Sequence, residues 1–131
     1  MTIDPRNPGP EALAFLAEYH LGVLGTHRSD HSIHLVPVGF TYDPETQLVR
    51  IITRSGSRKV RNIAARPGHR VSVSSVDGGR WLTFEGPAEV SSAPDRVAEA
   101  VERYAARYRQ PGESDDRVVI EISVDRILGR A

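Results

Sequence analysis

Cysteine is absent from the 131-residue chain, which removes disulfides, thiolate nucleophiles and cysteine-based metal sites together. Any redox chemistry must therefore come from a bound cofactor. Net charge is missing as well, since 17 basic residues balance 17 acidic ones. That neutrality argues against a general binder of nucleic acid or anionic membrane, and no partner of either kind is expected. No apolar run approaches the length of a bilayer span, and the first ten residues carry no hydrophobic signal core, so the expected location is the cytoplasm. The five histidines, His20, His27, His31, His34 and His69, have no metal-ligand spacing, and no metal is expected. A Ser-His-Asp arrangement and a nucleophile elbow are both missing, which leaves hydrolysis unsupported. Lysine is the last scarcity: Lys59 stands alone against sixteen arginines.

The stretch that contains that lysine organises the rest. Leu48, Val49, Ile51 and Ile52 supply the aliphatic, β-branched bulk of a buried strand. From Ser57 the apolar spacing changes to that of a helix, with Val60, Ile63 and Ala64, while Ser55-Gly56-Ser57 forms a turn and offers an N-cap. A helix start attracts Asp or Glu, because its unpaired N–H groups carry partial positive charge, yet this one holds Arg58, Lys59 and Arg61. Cations there make sense if an external anion sits in front of the helix, shared with the hydroxyls of Thr53, Ser55 and Ser57. A compact, flexible ammonium at Lys59 suits a phosphate or a ring oxygen better than a guanidinium fork. A merely solvated basic turn is the competing reading.

Around this stretch the pattern is mainly β. Residues 1–10, rich in proline, read as a flexible N-terminal arm, and residues 11–131 as a single domain with one modest core. A first helix ends near His20, followed by a hairpin of Leu21–Thr26 and Ile33–Tyr42. Pro37 marks an edge, a bulge or an opening in the second of these strands. After the basic helix come Val71–Ser75, the turn Asp77-Gly78-Gly79, and a strand from Trp81 to Val90 kinked at Gly86-Pro87. A helix from Pro94 to near Tyr108, a polar loop, and a last strand Val118–Val124 complete the chain. Six strands with turn-length connections and three helices predict a closed antiparallel barrel with flanking helices. Such a small barrel is filled by its own side chains, so a ligand must bind outside it or between subunits. Glu85 is expected to pair with an arginine across the strands.

The strand ending in Ile52-Thr53, the Ser57-Arg58-Lys59 turn, Asn62-Ile63 and Arg66-Pro67-Gly68 resemble the pyridoxamine 5'-phosphate oxidase-like split-barrel family. Leu21-Gly22-Val23-Leu24-Gly25-Thr26, Val38-Gly39-Phe40-Thr41-Tyr42-Asp43-Pro44, Asp77-Gly78-Gly79-Arg80-Trp81-Leu82 and Arg117-Val118-Val119-Ile120-Glu121-Ile122 are similar to its flavin/deazaflavin oxidoreductase B group. The resemblance covers the chain from about Ala12 to Leu128. It implies a homodimer of six-stranded split barrels, with two cofactor grooves at the subunit interface. Thr53, Ser57, Arg58 and Lys59 would hold the cofactor phosphate, with Ser55 and Arg50 close by. Val36, Pro37 and Val38 would lie along the ring, and Trp81 would wall the pocket from the partner subunit. The implied activity is hydride transfer from reduced coenzyme F420 to a small conjugated substrate, biliverdin foremost; the catalytic residues are not implied. An FMN-dependent oxidase, or a split barrel that only binds a flavin or tetrapyrrole, is the alternative. Arg28 and Arg80 are candidates for the substrate carboxylates. The C-terminal arginine segment of true pyridoxamine phosphate oxidases is not present.

Overall fold

The computed structural model describes residues 2–131; Met1 lies outside them. The elements in order are β1 (Thr2–Ile3), α1 (Pro10–Ala17), β2 (Gly22–His27), β3 (Ile33–Val38), β4 (Thr41–Asp43), β5 (Leu48–Arg54) and α2 (Arg58–Ala65). They are followed by β6 (Arg70–Asp77), β7 (Arg80–Ser91), α3 (Pro94–Arg107), β8 (Arg117–Ser123) and β9 (Arg126–Arg130). Neighbouring strands run antiparallel in the order β3-β2-β6-β7-β8-β5-β4, with β9 also paired to β7 and β1 to β9.

The barrel is split along β7, the longest strand. Its first half pairs with β6 on one side and with β9 on the other, through Trp81↔Arg130 to Glu85↔Arg126. Beyond Gly86-Pro87 it turns to β8, with Ala88↔Ile122 and Val90↔Ile120. The expected kink is thus the point where one strand passes from one half of the barrel to the other. Gly86 is required there, because a Cβ would overlap the carbonyl of Ser123. The interior is closed by Phe15, Leu24, Phe40, Val49, Ile51, Val73, Leu82, Phe84, Ile120, Ile122 and Ile127, all 1% exposed or less. Alternation along the strands selects this inward set. Two clefts of about 400 Å³ open to the outside, as expected of a barrel with a filled interior.

Four expectations change. Among the described residues the strands number nine rather than six. The run Ile33–Tyr42 is two strands, because the chain leaves the sheet at Gly39-Phe40, and Pro37 lies on β3, which is an edge of the sheet. Residues 126–130, which have no strong strand pattern, form β9 because Ile127 and Leu128 fill a gap beside β7. The N-terminal arm is tied down in its described part. Thr2 and Ile3 pair with Leu128 and Ile127, and Tyr42 Oη donates to Pro5 C=O at 2.6 Å.

Candidate functional site

β5 ends at Arg54, and the chain turns through Ser55-Gly56 into α2. Ser57 occupies the N-cap position but does not cap: its Oγ donates to Arg54 C=O at 2.9 Å. The opening N–H groups of α2 are left without a side-chain acceptor, and the first turn contains no acidic residue. Among the described residues, no carboxylate lies within ion-pair distance of Arg54, Arg58, Lys59 or Arg61, while most other arginines have acidic or carbonyl partners. Lys59 is half-buried, and desolvation holds its ammonium below the ordinary value of 10.5. Positive charge, donor groups and partial burial therefore coincide where no protein anion answers them.

These groups border a cleft of about 400 Å³. Thr53, Arg54 and Lys59 form one wall, and Pro37, Val38 and Gly39 from the end of β3 form the other. Tyr104 of α3 and Pro111, Gly112, Glu113, Ser114 and Arg117 close the remaining sides. Two contacts fix that polar loop. Ser55 N–H donates to Asp116 C=O at 3.0 Å, and Arg117 Nη2 donates to Gly112 C=O at 2.6 Å.

Of the residues expected to hold a cofactor, Pro37, Val38, Thr53 and Lys59 line the cleft, and Ser55, Ser57 and Arg58 belong to the turn beside it. Thr53 Oγ1 and Ser57 Oγ stand 3.5 Å apart. Val36, one position before Pro37 on β3, packs against the core. Arg50 does not line the cleft. It is buried at 8% exposure with Nη1 3.7 Å from Asp43, to which Arg103 of α3 also reaches at 3.2 Å. Its alternation along β5 from Thr53 explains the different surroundings.

The proposed substrate arginines are engaged elsewhere. Arg80 Nη2 donates to Glu18 at 2.8 Å and to Asp77 at 2.6 Å, and its guanidinium lies over the Phe15 ring at 5.2 Å. Hydrogen bonds from Arg80 and His20 lower the Glu18 carboxyl to about 2. Glu18, His20 and Asp77 could together face a cation, but Arg80 already occupies that role. Arg28 Nη1 donates to Ile33 C=O at 3.0 Å within its own hairpin. Trp81 is half-buried, away from the cleft, opposite Val76 on β6. Glu85 does meet arginines, Arg126 at 3.4 Å and Arg70 at 4.0 Å.

Sequence reasoning overlooked His34. It sits on the inward side of β3 with Val36 and Val38, and its Nδ1 is buried without a partner. Burial, then the positive charge of Arg28, Arg58 and Lys59, lowers its pKa from the ordinary 6.5. The alternation His34-Val36-Val38 was the available signal. No comparable signal marked Tyr104, Glu113 or Ser114, which belong to a helix end and a loop.

The chain belongs to the pyridoxamine 5'-phosphate oxidase family, whose model matches residues 9–131. It is 53% identical over 121 residues to an F420H(2)-dependent biliverdin reductase of Mycobacterium tuberculosis (strain CDC 1551 / Oshkosh), covering 92% of this chain and 87% of that protein. Among solved structures, an F420 reductase superposes with a TM-score of 0.71 at 26% identity, covering 92% of this chain and 98% of that one. A conserved hypothetical protein of Mycobacterium tuberculosis has the same fold, with a TM-score of 0.76 at 24% identity over 93% of this chain and 84% of its own.

Proposed function

We propose that this protein is a reductase that takes hydride from reduced coenzyme F420 and delivers it to a conjugated acceptor, biliverdin in the first place, to give bilirubin. The observation that carries the reading is the set of unpaired cations and uncapped N–H groups at the start of α2, from which Lys59 reaches a cleft lined also by Thr53, Arg54 and Pro37–Val38–Gly39. Its chemistry fits a phosphate-bearing tail next to a planar ring. When bound, the reduced deazaflavin supplies the hydride. The protein positions it: Lys59 and Arg58 neutralise the phosphate, the α2 amides share it, and Thr53 adds a hydroxyl donor beside Ser57 Oγ. Pro37 and Val38 offer the ring an apolar ledge, and Val36 supports that ledge from the core side.

The functional unit in this reading is a homodimer. Val23, Ile33, Leu35 and Val76 form an apolar face on the outward side of β2, β3 and β6, each between 42% and 69% exposed. Pro37 lies on the same edge, and Trp81 is opposite Val76, so a second copy packed on this face would cover both.

Titrating the apo-protein with F420 and with FMN, followed by fluorescence, tests the cofactor. Mixing reduced F420 with enzyme and biliverdin tests the substrate, with the bilin absorption moving toward that of bilirubin. NADPH should fail, since no Gly-rich dinucleotide fingerprint follows any strand. The family match supports FMN as the competing cofactor. FMN binding with F420 ignored would replace the proposal by that reading, and F420 binding with biliverdin unreduced would retain only its cofactor half.

A further inference from the structure

The corner between β3 and β4 lies on the border of the cleft. The two strands pair with different partners, β3 with β2 and β4 with β5, so the backbone at Gly39-Phe40 has no ladder to complete. Buried backbone groups must nevertheless find partners. Here they find side chains from the end of α3. Phe40 N–H donates to Tyr108 Oη at 3.1 Å, and Phe40 C=O accepts from Arg107 Nη1 at 2.7 Å. The Tyr108 hydroxyl in turn donates to His20 C=O at 2.7 Å, with Phe40 C=O at 3.0 Å as its other acceptor.

Arg107 is buried, and among the described residues no carboxylate pairs with it. Its Nε donates to Glu18 C=O at 2.9 Å, and its guanidinium packs over Phe40 at 4.7 Å and Tyr108 at 5.1 Å. Carbonyls and aromatic faces thus replace the usual counter-ion, which couples the charge to the position of the corner itself. Contact from the other side is equally close. A Cβ on Gly39 would come within 2.7 Å of Tyr104 Cε2 and 3.2 Å of Tyr108 Cε2. The corner therefore rests directly on two tyrosine rings. It cannot move toward α3, and the hydrogen bonds keep it from moving away.

Pro37, Val38 and Gly39 lead into this clamped residue and line the cleft, whereas Arg107 and Tyr108 do not. The geometry points to Arg107 and Tyr108 as positioning residues that set the height of the Pro37–Gly39 ledge against the cofactor ring without touching the ring. This inference rests on the proposed function, because it needs a ring on that ledge. Its logic is the sensitivity of hydride transfer to small displacements. The anchor at α2 governs how tightly the cofactor is held, and the clamp governs whether the ring stands at transfer distance.

Tyr108→Phe removes only the hydroxyl, and Arg107→Lys keeps the charge while losing the fork. Three readouts are required: the F420 dissociation constant, turnover with its primary isotope effect from reduced F420 deuterated at the transferred position, and hydrogen exchange of the Phe40 amide. For Tyr108→Phe we expect faster Phe40 exchange, an F420 dissociation constant within about twofold of the parent, and kcat lower by about tenfold or more with an increased isotope effect. Arg107→Met should lose more turnover than Arg107→Lys, which can still donate to one carbonyl. Faster Phe40 exchange with parental kcat and isotope effect would overturn the positioning role and reduce the clamp to a stabilising contact. A parent protein that binds no F420 would overturn the proposed function and this inference with it, and the two failures are thereby distinguished.

Discussion

Replacing Lys59 by alanine should separate the needs of the site from those of the fold. In the folded chain this ammonium is half-buried, has no carboxylate partner, and sits in the first turn of α2 between Arg58 and Arg61. Repulsion from the helix N-terminus costs about 0.3–1 kcal/mol at such a position, and the buried stem offsets part of that. Removing the side chain should therefore leave the melting temperature of the apo-protein within a degree or two, or raise it slightly. Cofactor binding should respond in the opposite sense. A lost charge-assisted hydrogen bond to phosphate is worth about 1.5–3 kcal/mol, or roughly a ten- to hundredfold weaker dissociation constant. The pH dependence of apo stability follows from the lowered pKa. Folding disfavours the protonated amine, so stability is diminished below the folded pKa and recovers as pH rises through it toward 10.5, and Lys59→Ala should flatten that rise. Fluorescence titration and thermal melts between neutral and alkaline pH measure both effects. Parental F420 affinity in the variant, or a large loss of apo stability, would refute the assignment of Lys59 to an external anion.

Three other outcomes are expected. Gly86→Ala forces a Cβ into the Ser123 carbonyl at the point where β7 changes partners, and denaturant unfolding should show a loss of about 2–4 kcal/mol; a loss below about half of one would mean that the strands slide apart easily. The Glu18 carboxyl should titrate near 2 by NMR and return toward 4.5 in Arg80→Ala, so its contribution to stability is present above 4.5 and is lost as pH falls toward 2; an unchanged titration in the variant would remove Arg80 as the cause. Leu35→Asp places charge on a residue 65% exposed in the single chain, and sedimentation should report monomer in place of dimer with the far-ultraviolet spectrum unchanged, while a dimer that persists would exclude this face.

The parts of this molecule legible in its sequence are those written in local periodicity. The alternation of β5 and β8, the helical spacing of α3, and the misplaced cations of α2 each depend on neighbours along the chain, and each was found in its expected place. The Gly86-Pro87 kink was legible too, though not its purpose of passing one strand between two partners. What was hidden is non-local. β9 has little strand character and exists because β7 has a free edge beside it, 41 residues away in the pair Glu85↔Arg126. The break at Gly39-Phe40 depends on Arg107 and Tyr108, which no window around Gly39 contains. Arg80 looked available because arginine in a list of residues carries no record of its carboxylates, and Glu18 and Asp77 have taken it, while Arg50 is buried near Asp43 with Nε and Nη1 lacking hydrogen-bond partners.

The pairing of β1 with β9 has a consequence in time. Thr2 and Ile3 lie 126 and 124 residues along the chain from their partners, Leu128 and Ile127. β9 must settle against β7 before β1 has an edge to join, and Ile127 is 1% exposed only once it has done so. Contacts between such distant residues close the longest loops, so this ladder is expected among the last to form in folding. Until β9 is in place, the edge of β7 that it covers is open to any passing strand, and that interval is when this protein most needs protection from its own copies.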